Sequence, residues 1–406
     1  MYDAIVVGAR CAGSPTAMLL ARKGYRVLLV DRATFPSDTL STHGLHMPAG
    51  ARLKKWGLLD AVIASNAPPI GGFVFDLGFL ALQGTPPPAD GVAVEYAPRR
   101  TVLDKILLDG AAAAGVEVRE GFTVDELTWE GEQVTGIIGH GKGGPPSTEQ
   151  ARIVIGADGR HSTVAAAARA PAYEETPPLT CFYYTYWSNV PVGSTEIYIR
   201  ERRNLIAFQT NDGLTCVGVQ WPHAEFADFR TDVEKNYLQT IDLVPGLAER
   251  VRQGRREERI VGTGDLPNFF RKASGPGWAL VGDAGHHMDP VLAHGINDAF
   301  RDAELLVDAL DAGLSGGQPM AAALATFEEQ RNQTAMPLHQ MTLQFASMEP
   351  PPPEMQQLIG ALVGNQAQID RFFGVLAGTV PMPEFFAPEN IGQIMAAAAQ
   401  RNAGGI

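Results

Sequence analysis

A chain of 406 residues, 45% apolar and 19% charged, is long enough for at least one large core and has a globular composition. Its formal charge of −13 argues against nucleic acid or an anionic membrane surface as a partner, since both reward a basic face. The widely spaced Cys11, Cys181 and Cys216 suggest neither a disulfide framework nor a zinc knuckle. With no leader-like opening and no apolar run of bilayer length, a cytoplasmic location without stable membrane association is expected.

Asp3 to Val7 reads as a short buried strand, Ser14 to Arg22 as a helix ended by Gly24, and Tyr25 to Val30 as a second strand. Between the first strand and the helix lies Gly8-Ala9-Arg10-Cys11-Ala12-Gly13. A glycine-rich turn here lets backbone N–H groups approach a pyrophosphate at the helix N-terminus. Gly8 supplies the tight turn, and Gly13 lets the helix pack close to the sheet. Arg10 stands where such loops usually carry a middle glycine. Its Cβ hinders close backbone approach, while its guanidinium offers a partner for phosphate or ribose oxygens. Asp31, with Arg32 beside it, ends the second strand, where a carboxylate accepts from ribose hydroxyls. From this motif alone, a mononucleotide site or a non-binding turn stays open.

Thr39 to Asp60 reads as a loop and then a helix, with Leu45, Ala49, Leu53 and Trp56 on one face. Phe73, Phe75, Leu77 and Phe79 alternate as in a strand, and Pro86 to Pro88 with Gly91 mark a loop. Arg100 to Ala114 returns to helical spacing. Three short strands should follow, with a hairpin tip at Gly141 to Pro146. The strand Ile153-Val154-Ile155 runs into Gly156-Ala157-Asp158-Gly159-Arg160, which by itself is ordinary turn chemistry. Residues 172 to 265 are strand-like and aromatic, and alternation should divide Phe182 to Trp187 between two faces. Arg252 to Arg259, broken by Glu257 and Glu258, reads as a solvated helix face.

After Trp278, a buried strand leads into Gly282-Asp283-Ala284-Gly285-His286 and on to Pro290 and Gly295-Ile296-Asn297. Asp283 is placed to hold a ribityl hydroxyl. The helix that follows is amphipathic through Ile296, Phe300, Ala303 and Leu310, and its N-terminal amides suit the negative charge of a reduced flavin. A plain strand-to-helix connection stays open for this motif alone. In this order, each directly after an apolar strand, the three motifs point to FAD. From about Ala321 the chain is mostly helical, interrupted by Pro350 to Pro353. Phe372-Phe373 and Phe385-Phe386 allow a cap over the active site, a dimer contact or packing onto the FAD domain. His43, His46, His286 and His287 read as ordinary polar histidines, so no metal is expected. No Gly-x-Ser-x-Gly elbow supports a hydrolase.

Together the Gly8–Gly13 loop, Asp158-Gly159 and Gly282-Asp283 resemble the para-hydroxybenzoate hydroxylase-like flavoproteins. These are the group A monooxygenases and their geranylgeranyl reductase and halogenase relatives, matched over roughly residues 1 to 310. The resemblance implies that Arg100 is aimed at the FAD, that the Val124 backbone meets adenine, and that Asp158 serves both FAD and a passing NAD(P)H. It also puts the segment after Leu40, with Thr42 and His43, near the flavin. Two departures are plain: Arg10 in the loop, and His294 between Pro290 and Gly295. The halogenase signature Trp-x-Trp-x-Ile-Pro is absent; its nearest counterpart is Tyr186-Trp187-Ser188-Asn189-Val190-Pro191.

The fold so implied is α/β. A Rossmann-like three-layer FAD domain over 1–70, 98–171 and 262–330 is interleaved with a mainly antiparallel substrate sheet over 71–97 and 172–261, and a helical segment covers 331–406. The expected activity is NAD(P)H-dependent monooxygenation, a hydroxylation or epoxidation of an apolar aromatic or polyketide-like small molecule. FAD would be held non-covalently, NAD(P)H would be a transient reductant, O2 the co-substrate, and the protein a monomer or homodimer. The alternative is a flavin-dependent reductase or dehydrogenase of carbon–carbon bonds; a halogenase or a non-catalytic flavin-binding protein ranks lower. The candidate cofactor-binding residues are Gly8, Ala9, Arg10, Ala12, Gly13, Asp31, Arg32, Thr42, His43, Arg100, Val124, Asp158, Gly282, Asp283, Pro290, Gly295, Ile296 and Asn297. No catalytic side chain stands out.

Overall fold

The computed structural model describes residues 1–403. Its first sheet has a parallel core in the order Trp278–Leu280, Ser147–Gly156, Tyr2–Val7, Val27–Asp31, Glu117–Glu120. The inner strands are buried on both faces, which explains their unbroken apolar runs. One face packs against helices Gly13–Arg22, Arg100–Ala113 and Gly295–Leu314 through Ala17, Leu103, Phe300 and Leu306. The other packs under an antiparallel layer of Phe122–Glu130, Gln133–Gly141 and the first half of Ser147–Gly156, through Phe122, Val134 and Ile137. These are the three layers expected. Four strands, not three, lie between helix Arg100–Ala113 and Gly156, because Gly121, at φ 65°, separates Glu117–Glu120 from Phe122–Glu130.

Parallel register decides where the motifs go. Val7 pairs with Gly156, and Gly156 pairs with Leu280, so all three motif loops leave the sheet at one carboxyl edge, side by side. Ligands of open α/β sheets bind at that edge.

The second sheet runs Arg255–Arg256, Thr180–Ser188, Thr215–Pro222, Arg203–Gln209, Thr195–Arg200, Phe73–Asp76, Ala81–Gly84, and it is antiparallel except where Thr195–Arg200 meets Phe73–Asp76. Alternation does divide the aromatic run. Tyr183 and Trp187 pack onto helices Phe226–Thr231, Val233–Ile241 and Pro245–Gln253 on the back. Phe182, Tyr184 and Tyr186 belong to the front cluster with Phe208 and Cys216.

Two local expectations fail and one open alternative is narrowed. Phe79 is 83% exposed, because Leu77 donates to the Leu80 carbonyl and turns the chain into a hairpin before the alternation reaches it. Arg252 to Arg259 is not one helix face: the helix ends at Gln253, and Arg255–Arg256 add to the sheet edge beside Trp187 and Ser188. Of the three placements left open for the aromatic tail, packing onto the first sheet is not the one taken. Phe372, Phe373 and Phe385 cluster with Phe73 and Phe75 on the second, where Phe373 stacks on Phe73 at 5.5 Å. Among the described residues no helix is long and apolar enough to cross a membrane.

Candidate functional site

The three motif loops border a groove of about 620 Å³. Gly8 has φ 102°, and a Cβ there would lie 2.4 Å from the Ala157 carbonyl oxygen. A Cβ on Gly13 would lie 1.7 Å from the Gly8 oxygen, so no side chain fits at either position. This tightness presses the first motif against the second. The first backbone bond of the helix runs from Ser14 to Arg10, so the amides of Arg10 to Gly13 make no backbone hydrogen bond. Unpaired amides at the positive end of a helix are an anion site.

Asp31 accepts from the Ala9 N–H at 2.7 Å and from the Ala33 N–H at 2.8 Å, while lining the groove. It therefore shapes the loop, and the remaining lone pairs of its carboxylate are open to ribose hydroxyls. Arg10 lies along the groove wall, but its guanidinium is engaged by Asp104 at 2.5 Å and by the Ser37 hydroxyl at 3.0 Å. Asp104 is fully buried and also takes a fork from Arg100, at 2.9 and 3.1 Å, and the Cys11 thiol at 3.4 Å. This carboxylate, behind the groove wall, joins two arginines that line the groove, and the sequence reading missed it. The Arg100-x-x-x-Asp104 spacing on one helix was the available signal.

Asp158 is turned inward. It accepts from the Ser162 hydroxyl at 2.5 Å and the Thr163 N–H at 2.7 Å, capping the turn into helix Thr163–Ala167, and burial pushes its carboxyl up. Asp283 differs. It lines the groove and makes no side-chain hydrogen bond among the described residues. Gly282 before it has φ 62°, and a Cβ there would lie 2.6 Å from the Ala12 methyl, so the third motif also seats against the first. Beyond it, Gly295 and Ile296 line the groove at the start of a 20-residue helix whose first backbone bond is Asp298 to His294.

Of the residues named from sequence, Gly8, Arg10, Ala12, Asp31, Arg32, Thr42, Arg100, Val124, Asp158, Gly282, Asp283, Pro290, Gly295 and Ile296 line this one groove. Ala9, Gly13, His43 and Asn297 do not. Ala9 and Gly13 act through the loop backbone. Asn297 approaches the Gly44 carbonyl at 3.5 Å, with its own amide oxygen buried and unpaired. His43 is fully buried beside the groove, 2.8 Å from the Tyr186 hydroxyl; burial, then Arg100 and Arg99, lowers its pKa to about 3, so the ring is neutral.

A second, smaller cavity of about 60 Å³ opens off the groove, sharing Thr42, Phe182 and Pro290 with it. Its wall combines the front of the second sheet (Phe73, Phe75, Ile197, Ile206) with Leu292 and with Phe345 and Leu376 of the tail. It is smaller than the roughly 150 Å³ that admits benzene, so an aromatic ligand enters only if wall side chains move. Phe182, whose ring lies over Gly218, spans both spaces; a Cβ on Gly218 would meet that ring at 2.7 Å. His46, also on the wall, pairs with Glu95; burial opposes its charge, and the Glu95 carboxylate more than offsets this, so its pKa is raised. Among the described residues no Lys, Arg, Asp or Glu lines this cavity.

A family model described as "FAD binding domain" matches residues 1–218 and 274–342. Among curated relatives, rifampicin monooxygenase of Streptomyces venezuelae is 27% identical over 380 residues, 89% of this chain and 75% of that protein. Digeranylgeranylglycerophospholipid reductase of Methanocella arvoryzae is 27% identical over 338 residues, 80% of this chain and 82% of its own. Tryptophan 2-halogenase of Chondromyces crocatus is 26% identical over 339 residues, 80% of this chain, which spans only 64% of that protein. Two solved structures share the fold over 98% of the chain. They are a flavoprotein/dehydrogenase from Cytophaga hutchinsonii, with TM-score 0.82, 20% identity and all of that chain covered, and the myxobacterial chondrochloren halogenase, with TM-score 0.79, 23% identity and 96% covered.

Proposed function

The chain belongs to the FAD binding domain family and is a FAD-dependent oxidoreductase, and from that premise we propose that it is an NAD(P)H-dependent monooxygenase of a neutral, apolar small molecule. The observation that carries this reading is the apolar cavity joined to the cofactor groove at Thr42, Phe182 and Pro290. An amino-acid carboxylate would find no cationic side chain there except His46, already matched by Glu95. A hydrophobic ring would find Phe73, Phe75, Phe182 and Ile206.

The groove fits FAD on three counts: loop glycines that admit no Cβ, unpaired amides at two helix starts, and an Asp283 carboxylate between them with no hydrogen bond among the described residues. FAD, when bound, would supply the two-electron chemistry between NAD(P)H and O2. The amides of Arg10 to Gly13 would hold the pyrophosphate, and Asp31 and Val124 would flank the adenosine end. Asp283 accepts from the ribityl chain. The start of helix Gly295–Leu314 stabilises negative charge at the cavity end of the groove. Phe182 and the tail residues Phe345 and Leu376 keep water from the reacting atoms. One oxygen atom of O2 goes to the substrate and the other leaves as water, the electrons coming from NAD(P)H.

The test is a substrate-library screen with labelled O2. A true substrate accelerates NAD(P)H consumption, and the product gains one labelled oxygen atom. A product that differs by two hydrogens and carries no label replaces this reading with that of a reductase, the activity named for the Methanocella arvoryzae relative. Turnover that requires chloride or bromide replaces it with halogenation, the activity named for the Chondromyces crocatus relative.

A further inference from the structure

The front of the second sheet is largely apolar or aromatic, and one of its rows carries two amide side chains. Asn204 and Gln220 stand directly opposite each other on neighbouring strands, both are buried, and both line the small cavity. Their row continues to Phe182 on one side and Ile199 on the other. An amide pair in such a row is costly unless its groups are satisfied, so its bonds reveal its purpose.

Gln220 Nε2 donates to Asp289 Oδ1 at 2.8 Å and to Thr180 Oγ1 at 2.7 Å. Thr180 gives its own proton to Asp289 Oδ2 at 2.6 Å, so towards Gln220 it acts only as an acceptor. Asp289 is itself fixed. Its Oδ1 accepts from the Val291 N–H at 3.1 Å, and its own N–H donates to Asn268 Oδ1 at 2.7 Å. Two acceptors therefore orient Gln220 with its nitrogen towards Asp289 and its oxygen towards Asn204. Asn204 meets that oxygen with Nδ2 at 3.2 Å and makes no other side-chain hydrogen bond among the described residues. Its Oδ1 is left as a free acceptor on a residue of the cavity wall. The chain of bonds carries the polarity of a carboxylate on the groove wall into the neighbouring cavity, where it appears as an uncharged carbonyl.

Nothing else on that wall sets a polarity. Thr42 and Thr195 hydroxyls donate or accept alike, and His46 is matched by Glu95. We propose that Asn204, oriented by Gln220 and Asp289, reads a hydroxyl or N–H donor on a neutral and otherwise apolar ligand, and so sets which substrates the cavity accepts. The inference rests on the cavity being the substrate site. Asn204 contacts the ligand; Gln220 and Asp289 are positioning residues. A ligand that offers only an acceptor leaves Asn204 Oδ1 desolvated and unpaired, the kind of mismatch that discriminates most strongly.

Indole, benzofuran and indene form a near-isosteric set with, respectively, a donor, an acceptor and neither. Their binding to the FAD-loaded protein at pH 8 can be followed through the visible flavin spectrum. Indole should bind about tenfold or more tighter than benzofuran or indene. Asn204→Leu and Gln220→Leu should each bring the ratio close to one, with affinity for indene held or raised. A merely structural role would weaken all three probes alike. If Asn204→Leu does not retain FAD, Gln220→Leu carries the test, since it removes the group that orients Asn204 and should still bring the ratio close to one. Equal binding of the three probes to the unaltered protein, or a preference that survives Asn204→Leu, overturns the inference and leaves the cavity reading standing. Failure of every probe to perturb the flavin overturns both.

Discussion

Asp283 and Asp158 have the same side chain and line the same groove, yet their surroundings give them different work. Asp158 has its oxygens committed to the turn that follows it, whereas Asp283 makes no side-chain hydrogen bond among the described residues. Asp283→Ala should therefore weaken FAD binding by the value of a charge-assisted hydrogen bond, about 1.5–3 kcal/mol or roughly ten- to hundredfold in Kd. Fluorescence titration of the apoprotein measures it directly, and an unchanged Kd would remove Asp283 from the cofactor site. The sequence pointed to both aspartates through their place after an apolar strand, but not to the difference between them, because that depends on where Ser162 and Thr163 fold back. Asn204, Gln220 and Asp289 carried no signal at all. Their association is made by cross-strand register and by a loop almost 70 residues away, and no local pattern reports it.

At the level of elements, periodicity predicted best where burial was one-sided or complete. The strands ending at Val7, Gly156 and Leu280 and the helix from Gly295 were legible because each carries its apolar pattern within itself. The aromatic tail was legible as helix but not as to its neighbour, since a buried phenylalanine does not say what buries it. Its position gives a clean separation of stability from cofactor binding. Phe373 is fully buried against Phe73, while among the described residues none beyond Asp302 lines the groove. Phe373→Ala should cost about 3–5 kcal/mol in urea unfolding, as for other large-to-small changes in a core, yet leave the FAD affinity of the folded protein unchanged. If FAD affinity fell in proportion to stability, the tail would have to be counted part of the cofactor site.

For the whole molecule, buried titratable groups of two kinds set opposing responses to acid. Burial lowers His43 and His294 to about 3, and lowers His286 well below the usual histidine range. Unfolding at pH 4 to 6 lets these rings take up protons, so their contribution to stability is present above about pH 6.5 and is lost as pH falls. Burial raises Asp289 and Asp298 to about 6. Their unfolded carboxyls ionise near pH 4, so their contribution has the opposite sign: it is full below that pH and is lost as pH rises through about 6. With His339, lowered by burial to about 4, four strongly shifted histidines outweigh two carboxyls, and the protein should lose stability between about pH 6.5 and 4.5. Asp289→Asn isolates one of the opposing groups. It removes a carboxylate whose burial costs stability at pH 8 and keeps the shape that Thr180 and Gln220 surround. Its Tm should exceed that of the unaltered protein at pH 8, and the difference should shrink as pH falls from about 6 to 4, where both side chains are uncharged. Parallel Tm curves across that range would show that Asp289 does not titrate there, and its carboxylate would then have to be stabilised by the Thr180, Gln220 and Val291 donors alone.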